Sequence, residues 1–232
     1  MIIRANYRLT LVEQRILLAC IAKINPFEPV PEVITLTADE YADIYSMKVN
    51  AVYQAFKNAS VVLPDRVLRI VDEHGEQEVI PWLKYTSEAG IEPEEAVYPH
   101  WEGRIYLRFS EAVKPFLSGM SKNFTQYELE KVAGLKSTHS IRLYELLISW
   151  RKTKTLYISL EDFKARLGIE GQYPRLDHLK DDVIVPAVKE LGKESALSVK
   201  WTAKRRGRTV VGFEFKFRER SRRGSNVRRL VT

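Results

Sequence analysis

The residues Val199–Phe217, VKWTAKRRGRTVVGFEFKF, decide how the chain is read. Apolar residues alternate along them: Val199, Trp201 and Ala203, then Val211, Phe213, Phe215 and Phe217. A period of two over two limbs predicts a β-hairpin with one buried face, its turn being the four residues Arg205-Arg206-Gly207-Arg208. With Lys204 just ahead, four cations fall within five residues at the tip. Clustering like charges costs self-repulsion, which an anionic partner relieves. A phosphate backbone along the tip would take Lys204, Arg205, Arg206 and Arg208, with Lys200 further down the first limb, and release counterions. Gly207 permits the positive φ of a tight turn.

Reading towards the N-terminus, RLDHLKDDVIVPAVKELG places Leu176, Leu179, Val183, Ala187 and Leu191 on one helical face, with Gly192 as the expected stop. Pro186 lies inside and is expected to bend or break this helix, at about 3 kcal/mol in an unstrained interior. Before it, LYISLEDFKARLGI reads as a short strand and a helix opened by Ser159 and Asp162. STHSIRLYELLISWRK reads as a helix with Ile141, Tyr144, Leu147 and Ile148 inward.

The first half repeats this order. RLTLVEQRILLACIAKI is a helix whose Thr10 and Glu13 have capping-box spacing. EVITLTADEYADIYSM is a strand at Val33–Leu36, then a helix opened by Thr37 and Glu40. KVNAVYQAFKNASVVL is a third helix with Val52, Phe56 and Ala59 inward. Two strands flank His74-Gly75, a third covers Arg104–Phe109, a short helix follows, and Gly90–His100 reads as a loop. Thr37 and Ser159 stand about 122 residues apart in the two copies. The aromatic pairs Trp82/Tyr85 and Tyr98/Trp101 read as core. Helix, strand, helix, helix and hairpin, twice over, predict an α+β chain of two tandem winged-helix domains related by a pseudo-repeat. The expected divisions are 1–122, 123–217 with FTQYELEKVAGLKS as a connecting helix closed at Gly134, and a basic, disordered tail at 218–232.

Charge follows the same division. The 232 residues carry +7 formally, with pI about 9.4. Residues 1–125 hold 13 Lys+Arg against 17 Asp+Glu, and residues 126–232 hold 24 against 13. A net of −4 against +11 assigns the principal contact with double-stranded DNA to the second unit and a secondary one to the first. Base reading falls to the N-terminal part of the third helix, with Tyr173, Arg175, His178 and Lys180 as candidates. Asp177, Asp181 and Asp182 share that surface; they accept from cytosine N4, pair with neighbouring bases, or face away. In the first unit the equivalent residues are Lys48, Asn50, Tyr53, Gln54 and Lys57, of which Asn and Gln suit adenine.

Several classes are disfavoured. Cys20 is the single cysteine, so no disulfide forms within the chain, and its apolar surroundings predict a buried, inert thiol. No apolar run nears the ~18 residues of a membrane span, and MIIRANYRL lacks the apolar core of a signal peptide, so a soluble cytoplasmic protein is expected. His74, His100, His139 and His178 are scattered, which predicts no metal centre and no metal-dependent DNA nicking. GLKS at Gly134–Ser137 mimics the end of a P-loop, but Leu129 stands where its first glycine belongs. A non-enzymatic chain without cofactor is expected.

ANYRLTLVEQRILLACIAKI, together with LEKVAGLKSTHSIRLYELLISWRK, ISLEDFKARLGI and LKDDVIVPAVKEL, resembles the iteron-binding plasmid replication initiator (Rep) proteins, over about Ala5 to Phe217. The resemblance implies two related winged helices that bind direct repeats (iterons) at a plasmid origin. It also implies opening of the adjacent AT-rich duplex and recruitment of host initiator and helicase proteins. Monomers act at the iterons; homodimers, formed largely through the N-terminal domain and in equilibrium with monomer, repress the initiator's own promoter or couple origins. By position, the reader maps to Arg175, His178 and Lys180 and the wing to Lys204–Arg208. The family often carries basic residues where this chain has Asp181 and Asp182. Sequence alone leaves open a two-domain transcriptional repressor of the same fold.

Overall fold

The computed structural model describes residues 5–71, 77–84, 97–100, 103–121 and 126–220. The turn at His74-Gly75, the aromatics Tyr85 and Trp101, and residues 221–232 of the expected tail lie outside them; Arg218 and Glu219, expected to open that tail, instead pair with Ser198 and Leu197 at the end of the last strand.

The first half begins with β1 (Asn6–Tyr7) and α1 (Leu11–Ala22), followed by β2 (Ile34–Thr37), α2 (Ala38–Tyr45) and α3 (Val49–Val62). Thr10 accepts from the Glu13 amide while the Glu13 carboxylate accepts from the Thr10 amide, and Thr37 and Glu40 do the same, so both expected capping boxes form. Next come β3 (Val67–Val71), β4 (Gln77–Pro81), β5 (Val97–His100), β6 (Arg104–Leu107) and α4 (Lys114–Ser121). The second half holds α5 (Gln126–Ala133), α6 (Thr138–Ile148), β7 (Thr155–Ser159), α7 (Leu160–Leu167), α8 (Leu176–Leu179), a π-helical turn (Lys180–Ile184), α9 (Val185–Glu194), β8 (Leu197–Arg206) and β9 (Thr209–Glu219).

The strands among the described residues form three antiparallel sheets, in the orders β1-β3-β4, β2-β6-β5 and β7-β9-β8. The last two are copies of one design. In each, the strand ahead of the second helix pairs with the returning limb of a hairpin. Ile34 and Leu36 face Leu107 and Ile105 in the first copy, and Leu156 and Ile158 face Phe215 and Phe213 in the second. All eight side chains are buried, so the pseudo-repeat is one of pairing and of core. The aromatic core differs: Tyr41, Tyr45 and Phe56 cluster in the first copy, and Phe163, Phe213, Phe215 and Trp201 in the second. Trp82 is buried as expected, edge-on to Tyr7.

Four expectations are corrected. The hairpin that repeats the C-terminal wing is β5–β6, because β3–β4 joins β1 in a sheet of its own. The Gly90–His100 loop accordingly yields its last four residues to β5. Proline at position 99 obscures that strand, since proline is tolerated in sheets mainly at edges, and β5 is an edge. The helix from Leu176 neither breaks nor stops at Gly192. Pro186 has no N–H, and the chain absorbs this in a widened turn where the Val185 amide donates to Lys180, five residues back. The end falls at Glu194, capped by Ser195, whose amide and hydroxyl both donate to the Leu191 carbonyl. Finally, the wing strands run to Arg206 and from Thr209, leaving a two-residue turn, Gly207-Arg208, with a register shift at Lys204/Arg205. Gly207 has φ +60°, the positive value expected of it.

Polar residues fasten the copies together, and periodicity gave no sign of this. α1 is buried nearly all round, including Glu13, Gln14 and Arg15. Glu13 pairs with Arg66 inside the first copy at 2.9 Å, while Arg15 reaches across to the second half, donating to the Leu135 carbonyl at 2.8 Å. From α6, Arg142 bonds Glu145 at 2.7 Å, donates to the Ala5 and Arg166 carbonyls, and lies 3.7 Å from the centre of the Tyr7 ring. The Tyr7 hydroxyl donates to the same Glu145 at 2.9 Å. Gly168 lets α7 approach this seam: its φ is +70°, and a Cβ there would sit 2.6 Å from the Tyr7 carbonyl oxygen. The connecting helix α5 packs on α1 and α2, and its Lys131 reaches Glu219 on β9 at 2.8 Å.

Candidate nucleic-acid interface

Ser159 starts α7 by accepting from the Asp162 amide, and its hydroxyl donates to the Asp162 carboxylate. Aspartate is one methylene shorter than glutamate, and here the reciprocal bond goes to the hydroxyl. α7 ends at Gly168 in the left-handed region, and Lys164 holds the following loop by donating to the carbonyls of Gln172 and Tyr173, both at 2.9 Å. This sets the entry into the reading helix. Arg175 is its N-cap residue, extended and exposed, and its side chain makes no cap bond.

α9 packs on β8, and only Ser195 and Ala196 join them. The chain therefore turns back between α9 and β8. Arg205, Arg206 and Arg208 are exposed at that tip, with the Arg205 guanidinium donating to the Arg208 carbonyl at 3.0 Å. Lys200 is exposed on β8. Lys204 is half-buried and pairs with Glu214 at 3.2 Å, so part of its charge is already balanced. On the helix, His178 is exposed, Tyr173 is half-buried against the core with φ +52°, and Lys180 is half-buried 3.6 Å from Asp177. Asp177, Asp181 and Asp182 are exposed. Arg175, His178 and the three wing arginines are thus the candidate residues that stand open, with acidic neighbours on the helix and none on the tip.

In the first copy, Lys48 is the exposed N-cap residue of α3, and Asn50 and Lys57 are exposed along it. Gln54 donates to Asn58 at 2.7 Å. Tyr53 leans over Gly103, where a Cβ would meet its ring; it anchors the β5–β6 hairpin to α3 while keeping 46% of its surface exposed. Burial pushes the Cys20 thiol up to about 12, the inert environment expected of it. Among the described residues no group of three His, Cys, Asp or Glu side chains is placed to hold a metal ion. No described helix is long and apolar enough to cross a membrane.

The fold defines a class: proteins built of two winged helices in tandem. Residues 1–148 match the family model described as Initiator Replication protein, WH1, and residues 159–217 match that of Initiator Rep protein, WH2, so the chain belongs to this replication initiator family. It is 28% identical over 214 residues to a Replication initiation protein of Escherichia coli, across 88% of this chain; the chain spans 63% of that relative's length. It is 22% identical to the PI protein of Escherichia coli, covering 90% of this chain and 78% of the relative. The crystal structure of Pi initiator protein in complex with iteron DNA superposes with a TM-score of 0.69 at 23% identity, covering 90% of this chain and 91% of the other, and supports the fold.

Proposed function

We propose that this chain is a non-enzymatic, sequence-specific plasmid replication initiator that binds directly repeated duplex sites at an origin. The observation that carries the reading is the pairing, within a replication-initiator family, of an exposed cationic wing tip with the open end of a helix that starts at Arg175. Residues 123–217 are the principal DNA-binding unit, with the wing arginines and Lys200 on phosphates and Arg175 and His178 at base edges. Residues 1–122 make the secondary contact through Lys48, Asn50, Gln54 and Lys57 and form the homodimer that exchanges with monomer. Cooperative loading on several repeats supplies the energy for opening the adjacent duplex, host initiator and helicase proteins follow, and the dimer represses the chain's own promoter. A protein with these tasks works in the cytoplasm.

Footprinting on directly repeated against inverted copies of a selected site tests the reading. Protection that spreads across direct repeats, together with permanganate-reactive thymines in the neighbouring AT-rich segment, is expected of an initiator. Protection of inverted copies alone, without reactive thymines, is the behaviour of a repressor and contradicts it.

A further inference from the structure

The sheet β7-β9-β8 has two faces, and its register separates them residue by residue. Phe163 of α7 packs on Phe213 and Phe215, and α9 packs on β8, so the helices cover one face. The other face carries the alternate residues. On the central strand, Lys216 stands between Thr155 and Lys200. Towards the tip, Glu214 stands between Tyr157 and Thr202, and Gly212 between Ser159 and Lys204; away from the tip, Arg218 opposes Ser198. Lys200, Lys216 and Arg218 are exposed and Tyr157 keeps 56% of its surface, so this face is open among the described residues.

Four cations share it with one carboxylate. Glu214 is divided between Lys204 at 3.2 Å and Lys216 at 3.8 Å. Lys200 and Arg218 make no ion pair among the described residues. Like charges directly opposite each other weaken a sheet, and Lys200 opposes Lys216, so the face holds a repulsion that an anion relieves. Gly212 leaves a gap: a Cβ there would lie 3.2 Å from the Tyr157 hydroxyl, so that side chain leans along the sheet and adds a donor to the face.

The chemistry selects the occupant. Protein interfaces are depleted in lysine and are anchored by apolar side chains, and apart from Tyr157 this face offers none. Single strands are held by stacking successive bases on several aromatic rings, and one ring is present. The phosphates of a duplex need only cations and donors spread over a surface.

We propose that the open face of β7-β9-β8 is a second duplex-binding surface, which takes the phosphates of a DNA segment other than the one at the reading helix. The reading helix runs on into α9, and α9 lies against the covered side of the sheet. A duplex is stiff over about 150 bp, so it does not fold back around one sheet to reach both sides. One chain therefore holds two duplexes. That this surface is the second one rests on the function proposed above; its affinity for duplex does not.

The test is the mass of the complexes that the full chain forms with an excess of short random duplex, read by sedimentation across a salt series. One chain carrying two duplexes is expected; its mass sets it apart from a homodimer carrying two. Lys216→Gln/Arg218→Gln is expected to weaken one of the two duplexes about tenfold or more and to lower the summed salt slope by about two. Both residues are exposed, and the first substitution removes a repulsion, so the variant's unfolding midpoint is expected not to fall. A single duplex that this variant loses and Arg205→Gln/Arg206→Gln/Arg208→Gln keeps would sink the function proposed above and leave the sheet surface standing. Binding that Lys216→Gln/Arg218→Gln leaves unchanged, whether of one duplex or two, overturns the proposal. So does displacement of the variant-sensitive duplex by a single strand, or by polyglutamate of equal charge, more readily than by unlabelled duplex.

Discussion

Arg142 and Glu145 are charges that folding has removed from water, at 4% and 2% side-chain exposure. Each is left uncompensated if the other is lost, and breaking one member of a buried pair costs about 3–5 kcal/mol. Arg142→Ala is therefore expected to lower stability by that amount in urea unfolding, and Tyr7→Phe, which removes one bond to Glu145, by about 1 kcal/mol. Two surface carboxylates contribute stability that acid removes. At Glu40 and at Glu219, burial alone would raise the carboxyl, but hydrogen bonds from Lys23 and the Thr37 amide, and from Lys131 and Arg151, outweigh it and hold both below the usual range. The unfolded chain then takes up protons first. The stability these groups contribute is whole above about pH 4.3 and is lost as pH falls through their folded values. Unfolding midpoints measured from pH 7 to 3 are expected to drop below about pH 4.3, and to drop less in a Glu40→Gln/Glu219→Gln variant. None of the seam residues was legible in advance. Arg142 and Glu145 stand in a sequence pattern like that of any solvated helix face, and only the arrival of β1 from 138 residues away in the chain buries them.

At the scale of elements, the wing tip exposes arginines and the helix after Arg175 exposes aspartates, so the proposed contact with duplex DNA makes opposite demands on the two. Each phosphate neutralised contributes about 0.9 to the salt slope of duplex binding. Arg206→Gln and Arg208→Gln are each expected to lower that slope by about one, measured by fluorescence anisotropy between about 50 and 200 mM salt. Lys204→Gln is expected to lower it less, because Glu214 already balances part of its charge. Asp181 and Asp182 are exposed, and under the proposed function they are expected to repel a phosphate backbone that the helix meets out of register. Asp181→Asn/Asp182→Asn should raise affinity for random duplex more than for the repeats and so reduce the ratio between them. The elements themselves were mostly legible, because capping spacing and alternation are local. The π turn was legible only as trouble at Pro186, since the sequence names the missing donor but not how the chain accommodates it. The partnership of the first hairpin was misread for a related reason: β3–β4 follows α3 directly, and nothing local tells which strand a hairpin will pair with.

At the scale of the molecule, the same pairing design appears twice, and its copies meet through Tyr7, Gly168 and Arg142 instead of swinging on a free linker. Gly168→Ala is expected to loosen this seam, since the new Cβ meets the Tyr7 carbonyl oxygen and the backbone there is left-handed. Earlier proteolysis at the junction with little change in isolated wing binding would report it. The duplication was legible from the repeated caps, whereas the contact between copies needed coordinates. The central claim is that the second copy holds duplex DNA by its cationic tip together with its reading helix. It is tested most directly by equilibrium affinity for directly repeated origin sites and for random duplex, each across a salt series, in the native chain and in Arg205→Gln/Arg206→Gln/Arg208→Gln. The account predicts a preference for the repeats of about a thousandfold or more, and a slope reduced by about three in the variant. A ratio near one, with the slope unchanged in the variant, would contradict it.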